Sequence, residues 1–263
     1  MEANRSWRSA RVRHTIGFGS TTSRRSTEMS TQKVAVVTGA SQGIGAALVE
    51  AYRKLGYAVV ANSRSITPSG DAGILAVAGD IADPAVGARV IDQALATFGR
   101  VDTLVNNAGV FVAKPFTDYT GADFDLVTGV NLRGFFEVTQ RAITAMLEVG
   151  GGHVVNVTTS LTDHANSAVP SALAALTKGG LNSVTKSLAV EYATRGVRVN
   201  AVSPGIIRTP MHPASTHEAL AALHPVGRIG DPGDIVAAVV YLEGAPFVTG
   251  EILHVDGGQS AGH

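Results

Sequence analysis

The 263-residue chain contains no cysteine, which excludes disulfides, thiolate catalysis and Cys-ligated zinc or iron–sulfur centres. No apolar run reaches the roughly 18 residues that a membrane-crossing helix needs, so the sequence does not read as an integral membrane protein. Aromatic residues make up only 5% and charged residues 16%, against 45% hydrophobic, and the 30 glycines and 10 prolines follow no G-X-Y period. Such a composition describes a soluble globular domain and excludes a fibre or a disordered chain. Neither charge sign is in excess, with 21 Lys and Arg against 21 Asp and Glu, but the balance is uneven along the chain. Residues 1–28 hold six arginines and two glutamates, leaving 15 basic against 19 acidic residues in the remainder. That remainder lacks the basic stripe of a nucleic-acid surface, so neither a nucleic-acid nor a membrane partner is expected.

Residues 1–32 are rich in Arg, Ser and Thr and poor in acids, a composition shared with organelle transit peptides. Met29 stands just ahead of the apolar run Val34–Val37, and the segment is expected to be a disordered or mis-assigned basic extension, dispensable for folding. Residues 33–263 read as one domain. Short β-branched runs at Val34–Thr38, Ala58–Asn62, Ile74–Ala78, Thr103–Asn106, His153–Thr158, Arg198–Val202 and Ile252–Val255 predict strands buried on both faces. Between them, helical patterns run over Ala46–Leu55, Pro84–Phe98, Phe124–Leu147, Ala172–Thr194 and Pro232–Leu242. This alternation predicts an α/β fold: a Rossmann-type, doubly wound parallel sheet of about seven strands.

The first strand leads into Thr38-Gly39-Ala40-Ser41-Gln42-Gly43-Ile44-Gly45 and then a helix. Glycines there permit a tight turn and close approach of the backbone to a pyrophosphate, while the helix start offers free N–H groups to the anion. The TGxxxGxG spacing is followed in order by Asn106-Asn107-Ala108-Gly109, Asn131, Pro204-Gly205 and Val255-Asp256-Gly257-Gly258. Together these motifs resemble the short-chain dehydrogenase/reductase family over about residues 33–260. The resemblance implies a cytoplasmic homo-oligomer, a tetramer, acting on a small molecule with a nicotinamide dinucleotide and no metal. It implies cofactor contacts from Gly39, Ser41, Gln42, Gly43, Ile44, Gly45, Asp80, Ile81, Asn107, Ala108, Gly109, Pro204, Gly205, Ile207 and Thr209. NAD-preferring members place an acid at the end of the second strand. Here the stretch reads Asn62-Ser63-Arg64, whose donors and cation suit a 2′-phosphate and favour NADP(H) over NAD(H).

At the catalytic end the resemblance implies an Asn, a Ser and the Tyr and Lys of YxxxK. Asn131 and Lys178 match, and Lys178 is also expected to hold the nicotinamide ribose. The position four before Lys178 is Ala174, and no tyrosine occurs between residues 120 and 191. Residues four apart share a helix face, so a methyl stands where the phenol belongs. For the serine, Thr159 and Ser160 are both candidates. Ser171, His164, His212, His217 and His224 are weighed as substitute proton donors against a role as ordinary loop residues. Ile207, Met211, Leu220 and the stretch Val110–Phe116 are candidate substrate walls. The expected function is NADP-dependent hydride transfer to or from a small carbonyl-like substrate (ketone, quinone, enone or imine) along a non-standard proton path. The alternative is a catalytically silent dinucleotide-binding scaffold.

Overall fold

The computed structural model describes residues 32–262; apart from Gln32, the expected basic extension lies outside them. The strands are β1 (Val34–Thr38), β2 (Ala58–Ser63), β3 (Ile74–Ala78), β4 (Thr103–Asn106), β5 (Gly152–Val157), β6 (Val197–Pro204) and β7 (Ile252–Val255). They form one sheet in the order β3-β2-β1-β4-β5-β6-β7, and every neighbouring pair is parallel. Among the described residues the α-helices are α1 (Gly43–Lys54), α2 (Pro84–Phe98), α3 (Gly121–Thr128), α4 (Gly134–Glu148), α5 (Ala172–Tyr192), α6 (His217–Ala221) and α7 (Pro232–Gly244).

Alternation along the strands builds two apolar layers. Val34 and Val36 face a cluster with Val90 and Ile91 of α2 and Val138 and Met146 of α4. Ala35 and Val37 face the other cluster, with Leu48 and Tyr52 of α1 and Ile235 and Val239 of α7. Both faces of every central strand are therefore dry, which explains the unbroken valine runs. Strand order reverses between β1 and β4, and the loops leaving the strands' carboxyl ends part there to leave a crevice. Among the described residues no helix is long and apolar enough to cross a membrane.

Two helices depart from the sequence expectation. The pattern over Phe124–Leu147 is not one α-helix: α3 ends at Thr128, a π-helical turn covers Gly129–Arg133, and α4 begins at Gly134. The turn is only five residues long inside an otherwise continuous helical run, too short for apolar periodicity to reveal it. α6, with five residues, lies in the segment read only as a loop after Pro204-Gly205.

Candidate active site

The carboxyl ends of the strands, with the 206–223 segment folded above them, enclose a cleft of about 620 Å³. At one end lies the glycine turn. Gly39 and Gly43 have φ of 66° and 55°, a region costly for residues with a Cβ. Gly45 does not line the cleft. A Cβ there would stand 2.1 Å from the Gly39 carbonyl oxygen, so its part is to let α1 close against the turn. Helices α2 and α3 are capped by the side chains of Asp83 and Thr120, and at the start of α7 the Asp234 carboxylate accepts from Asp231 N–H. α1 has no side-chain cap and no acid in its first turn, which leaves its N–H groups to an external anion. Thr38 and Asn107 lock the turn to β4. Thr38 Oγ1 accepts from the backbone N–H groups of Asn107 (3.1 Å) and Ala108 (3.0 Å), while Asn107 Nδ2 donates to the carbonyls of Thr38 and Gly39.

Ser41, Gln42, Ile44, Ser63, Arg64, Asp80, Ile81, Ala108 and Gly109 line the same cleft. Ser63 Oγ is buried with no partner among the described residues, an orphan of the kind a ribose or phosphate oxygen satisfies. Arg64 beside it is exposed. The expectation for Asn62 needs correction: its Nδ2 donates to the carbonyls of Val77 (2.9 Å) and Gly79 (3.3 Å). Both amide hydrogens tie β2 to the end of β3, so Asn62 has no side-chain N–H left for a phosphate.

At the other end of the cleft, Val157, Thr159, Ser160, Ala174, Lys178, Pro204, Gly205, Ile207 and Thr209 converge. Lys178 is buried and donates from Nζ to the Val157 carbonyl at 2.7 Å. Burial lowers its ammonium to about 8. Ala174 lies on the same face of α5, and none of the chain's five tyrosines lines the cleft. Asn131 sits in the π-helical turn and does not reach the cleft. Its Oδ1 accepts from Val110 N–H (2.9 Å), and its Nδ2 donates to the Val110 carbonyl (3.1 Å) and Thr177 Oγ1 (3.2 Å). It thus clamps the loop after β4 to α5 and acts on the site from behind. Thr159 and Ser160 both reach the cleft, with different partners. Thr159 Oγ1 accepts from Leu161 N–H at 3.4 Å, whereas buried Ser160 donates to Gln259 Oε1 at 2.8 Å. Gln259 escaped the sequence reading, although it follows directly on the Val255–Gly258 motif.

The histidines separate. His164 and His217 do not line the cleft, and His212 does. His224 is buried, bonded through Nδ1 to Leu220 O (3.0 Å) and accepting through Nε2 from Ile206 N–H (3.0 Å). Both its ring nitrogens are thus spent on holding the 206–223 segment, the lid over the cleft. His217 Nε2 and His212 Nδ1 likewise bond the carbonyls of His212 and Ile207, each at 2.9 Å. Of the expected walls, Ile207, Met211, Leu220, Val110 and Phe111 line the cleft, while residues 112–116 do not; Leu161, Val169 and Leu223 join them. Among the described residues no group of three His, Asp or Glu could hold a metal ion.

The sequence profile of a family described as enoyl-(acyl carrier protein) reductase matches residues 39–260. The chain belongs to the short-chain dehydrogenase/reductase family. It is 37% identical to cis-4-hydroxycyclohexanecarboxylate dehydrogenase of Sinomonas cyclohexanicum over 247 residues, 88% of this chain and 97% of that one. The NADH complex of a 3-ketoacyl-(acyl-carrier-protein) reductase from Brucella melitensis superposes with a TM-score of 0.80 at 33% identity, covering 87% of this chain and 98% of the other. ElxO with NADP bound superposes at 0.81 and 28%, covering 88% and 100%. This short-chain dehydrogenase/reductase is an oxidoreductase, and its fold is that of its structural relatives.

Proposed function

We propose that this short-chain dehydrogenase/reductase is an NADP(H)-dependent reductase of small carbonyl-like acceptors (ketones, quinones, enones or imines), working without a tyrosine acid. When bound, the dinucleotide supplies the hydride. The uncapped start of α1 and the glycine turn hold its pyrophosphate. Ser63 and Arg64 take the 2′-phosphate, with no carboxylate on the Asn62–Ser65 stretch to repel it. Asp80 and Ile81 flank the adenine, Lys178 holds the nicotinamide ribose, and Pro204, Gly205, Ile207 and Thr209 cover the nicotinamide. Thr159 donates to the acceptor oxygen, while Ser160, whose hydroxyl donates to Gln259 Oε1, is the alternative hydroxyl that would have to turn from that partner to do so.

The observation that carries this reading is the shared cleft. The glycine turn, Arg64, Lys178 and two hydroxyls open into one cavity, and Ala174 contributes only a methyl where a phenol would project. Acceptors whose reduction yields a stabilised anion, such as quinones and enones, or which begin as cations, such as iminium ions, place the least demand on an acid. The apolar walls Phe111, Leu161, Val169 and Leu223 suit the apolar body of such a substrate. The test is NADPH consumption over ketones, quinones, enones and cyclic imines, repeated with Ala174→Tyr. Turnover of at least one class is expected, with the variant gaining most on unactivated ketones. Tight NADPH binding without turnover on any acceptor would assign the protein as a silent dinucleotide-binding scaffold.

The same reading carries a cytoplasmic homotetramer. Leu176 and Val190 on α5 and Phe136 on α4 are exposed apolar side chains that assembly would cover. A monomer by light scattering at micromolar concentration overturns the assembly.

A further inference from the structure

Removing the phenol leaves the question of which group delivers the proton. The ionisable side chains lining the cleft are Arg64, Asp80, Lys178 and His212. Arg64 and Asp80 follow β2 and β3, whereas Lys178 bonds Val157 of β5. In the sheet order, β1 and β4 lie between β2 and β5. Three strand spacings put roughly 14 Å between those ends of the cleft, too far for direct transfer. His212 Nδ1 donates to the Ile207 carbonyl, so that proton is held by the backbone and only Nε2 could face an acceptor; the His212→Gln variant below separates its part from that of Lys178. Thr159 and Ser160 carry hydroxyls that are far weaker acids than an ammonium.

Lys178 is differently placed. Side chains on an α-helix lean toward its amino end, so a residue covers the turn before its own Cα. Lys178 therefore extends over the position of Ala174, and a methyl there leaves the space open. Its ammonium carries three donors, and Val157 O is its one protein partner among the described residues. Gly109 makes room on the opposite wall, since a Cβ there would stand 3.1 Å from Nζ.

We propose that Lys178 is itself the catalytic acid of this enzyme, giving its proton directly to the acceptor oxygen. This rests on the reductase reading above. The carbon–oxygen π pair moves onto oxygen as a hydride from reduced nicotinamide reaches the carbon. An N–H bond of Lys178 then breaks as the O–H bond forms, leaving a neutral amine that regains its proton from solvent. The desolvation that lowers the ammonium toward 8 makes it a better acid than an exposed lysine.

The test combines Lys178→Arg, the wild-type pH profile and a nitrogen NMR titration of the Lys178 amine. Arginine keeps a cation and donors for the ribose but does not release a proton. Lys178→Arg is expected to keep NADPH affinity within about threefold while kcat falls by about 100-fold or more, the scale of general-acid catalysis. In the wild type, reduction should lose rate toward alkaline pH with an apparent pKa that coincides with the amine titration. Three outcomes overturn the proposal: kcat retained in Lys178→Arg, an alkaline limb displaced from the amine titration, or a limb that vanishes in His212→Gln. No turnover of any acceptor by the wild type would overturn the reductase reading, and the lysine's role with it. Turnover that survives Lys178→Arg would overturn the lysine's role alone.

Discussion

Arg64 and Asn62 stand two residues apart at the end of one strand, and their fates differ because one side chain leaves the sheet while the other stays inside it. Asn62 is buried and spends its amide on two carbonyls, which residue type cannot announce. Arg64 is exposed on the cleft, and its charge is free to choose between cofactors. Arg64→Ala is expected to lose roughly 1.5–3 kcal/mol of the preference for NADPH over NADH, the span of a charge-assisted hydrogen bond, at or below the low end for an exposed group. Paired titrations with the two cofactors check it, and equal loss for both would refute the phosphate contact. Asn131 makes a second test at this scale. Asn131→Ala strips partners from the N–H and the carbonyl of Val110, so unfolding free energy should fall by about 1–3 kcal/mol. NADPH affinity should fall with it, because the loop carrying Ala108 and Gly109 loses its anchor. Urea denaturation beside a binding titration separates the two effects.

Helix α1 and the turn before it show how an element is built around what a residue omits. Gly45→Ala would drive a methyl into the Gly39 carbonyl, forcing α1 off the sheet at an expected cost of about 1–3 kcal/mol or more. Melting temperature and NADPH affinity should drop together; a stable variant with normal binding would mean that the turn can yield. At this scale the sequence was highly legible. β1, β3, β4, β7 and α2 begin and end where apolar runs, Pro84 and Gly99 say they should. β1 and β4 are dry on both faces as expected, whereas β3 and β7 are only partly buried because they are the edges of the sheet. The π-helical turn around Asn131 was hidden because it spans only five residues inside a continuous helical run, less than a periodic pattern needs to register. The lid was hidden for a different reason. Its order comes from His212, His217 and His224 bonding backbone carbonyls, and histidine suits proton transfer and backbone bonding equally well on paper. The Asn131 and Lys178 motif positions were readable, yet only three dimensions show that the first supports the site from behind while the second lines it.

Across the whole molecule, the end of the sheet away from the cleft is held by a buried polar cluster that no motif signalled. Glu243 of α7 accepts from Tyr52 of α1 (3.1 Å), Tyr57 (3.0 Å), Thr103 at the start of β4 (3.0 Å) and His153 of β5 (3.0 Å). The far ring nitrogen of His153 meets Asn200 Nδ2 at 3.1 Å. Asn200 is itself fixed by Val248 O and Glu251 N–H, so His153 Nε2 must stay an unprotonated acceptor. Burial, partly offset by Glu243, holds His153 below its ordinary value of 6.5. The unfolded chain therefore binds the proton more readily, and this contribution is complete above about pH 6.5 and is lost as pH falls below it. Burial pushes Glu243 up, but hydrogen bonds from His153, Tyr57 and Thr103 prevail and hold it at about 2. Its contribution is present above about 4.5 and disappears as pH falls toward 2. Tyr52 and Tyr57 are raised above 10 by burial and then by Glu243, so their share is present below about pH 10 and is lost above it. Stability should therefore form a plateau between about pH 6.5 and 10. Glu243→Gln is expected to lower that plateau by about 1.5–3 kcal/mol, the worth of hydrogen bonds to a charged group, and to flatten the fall between pH 4.5 and 2. Strands of about five residues put the cluster roughly 17 Å from the cleft, so NADPH affinity should stay within about twofold. Urea midpoints measured from pH 2 to 10 on both proteins check this, and an acid limb unchanged in Glu243→Gln would show that some other carboxylate governs acid unfolding.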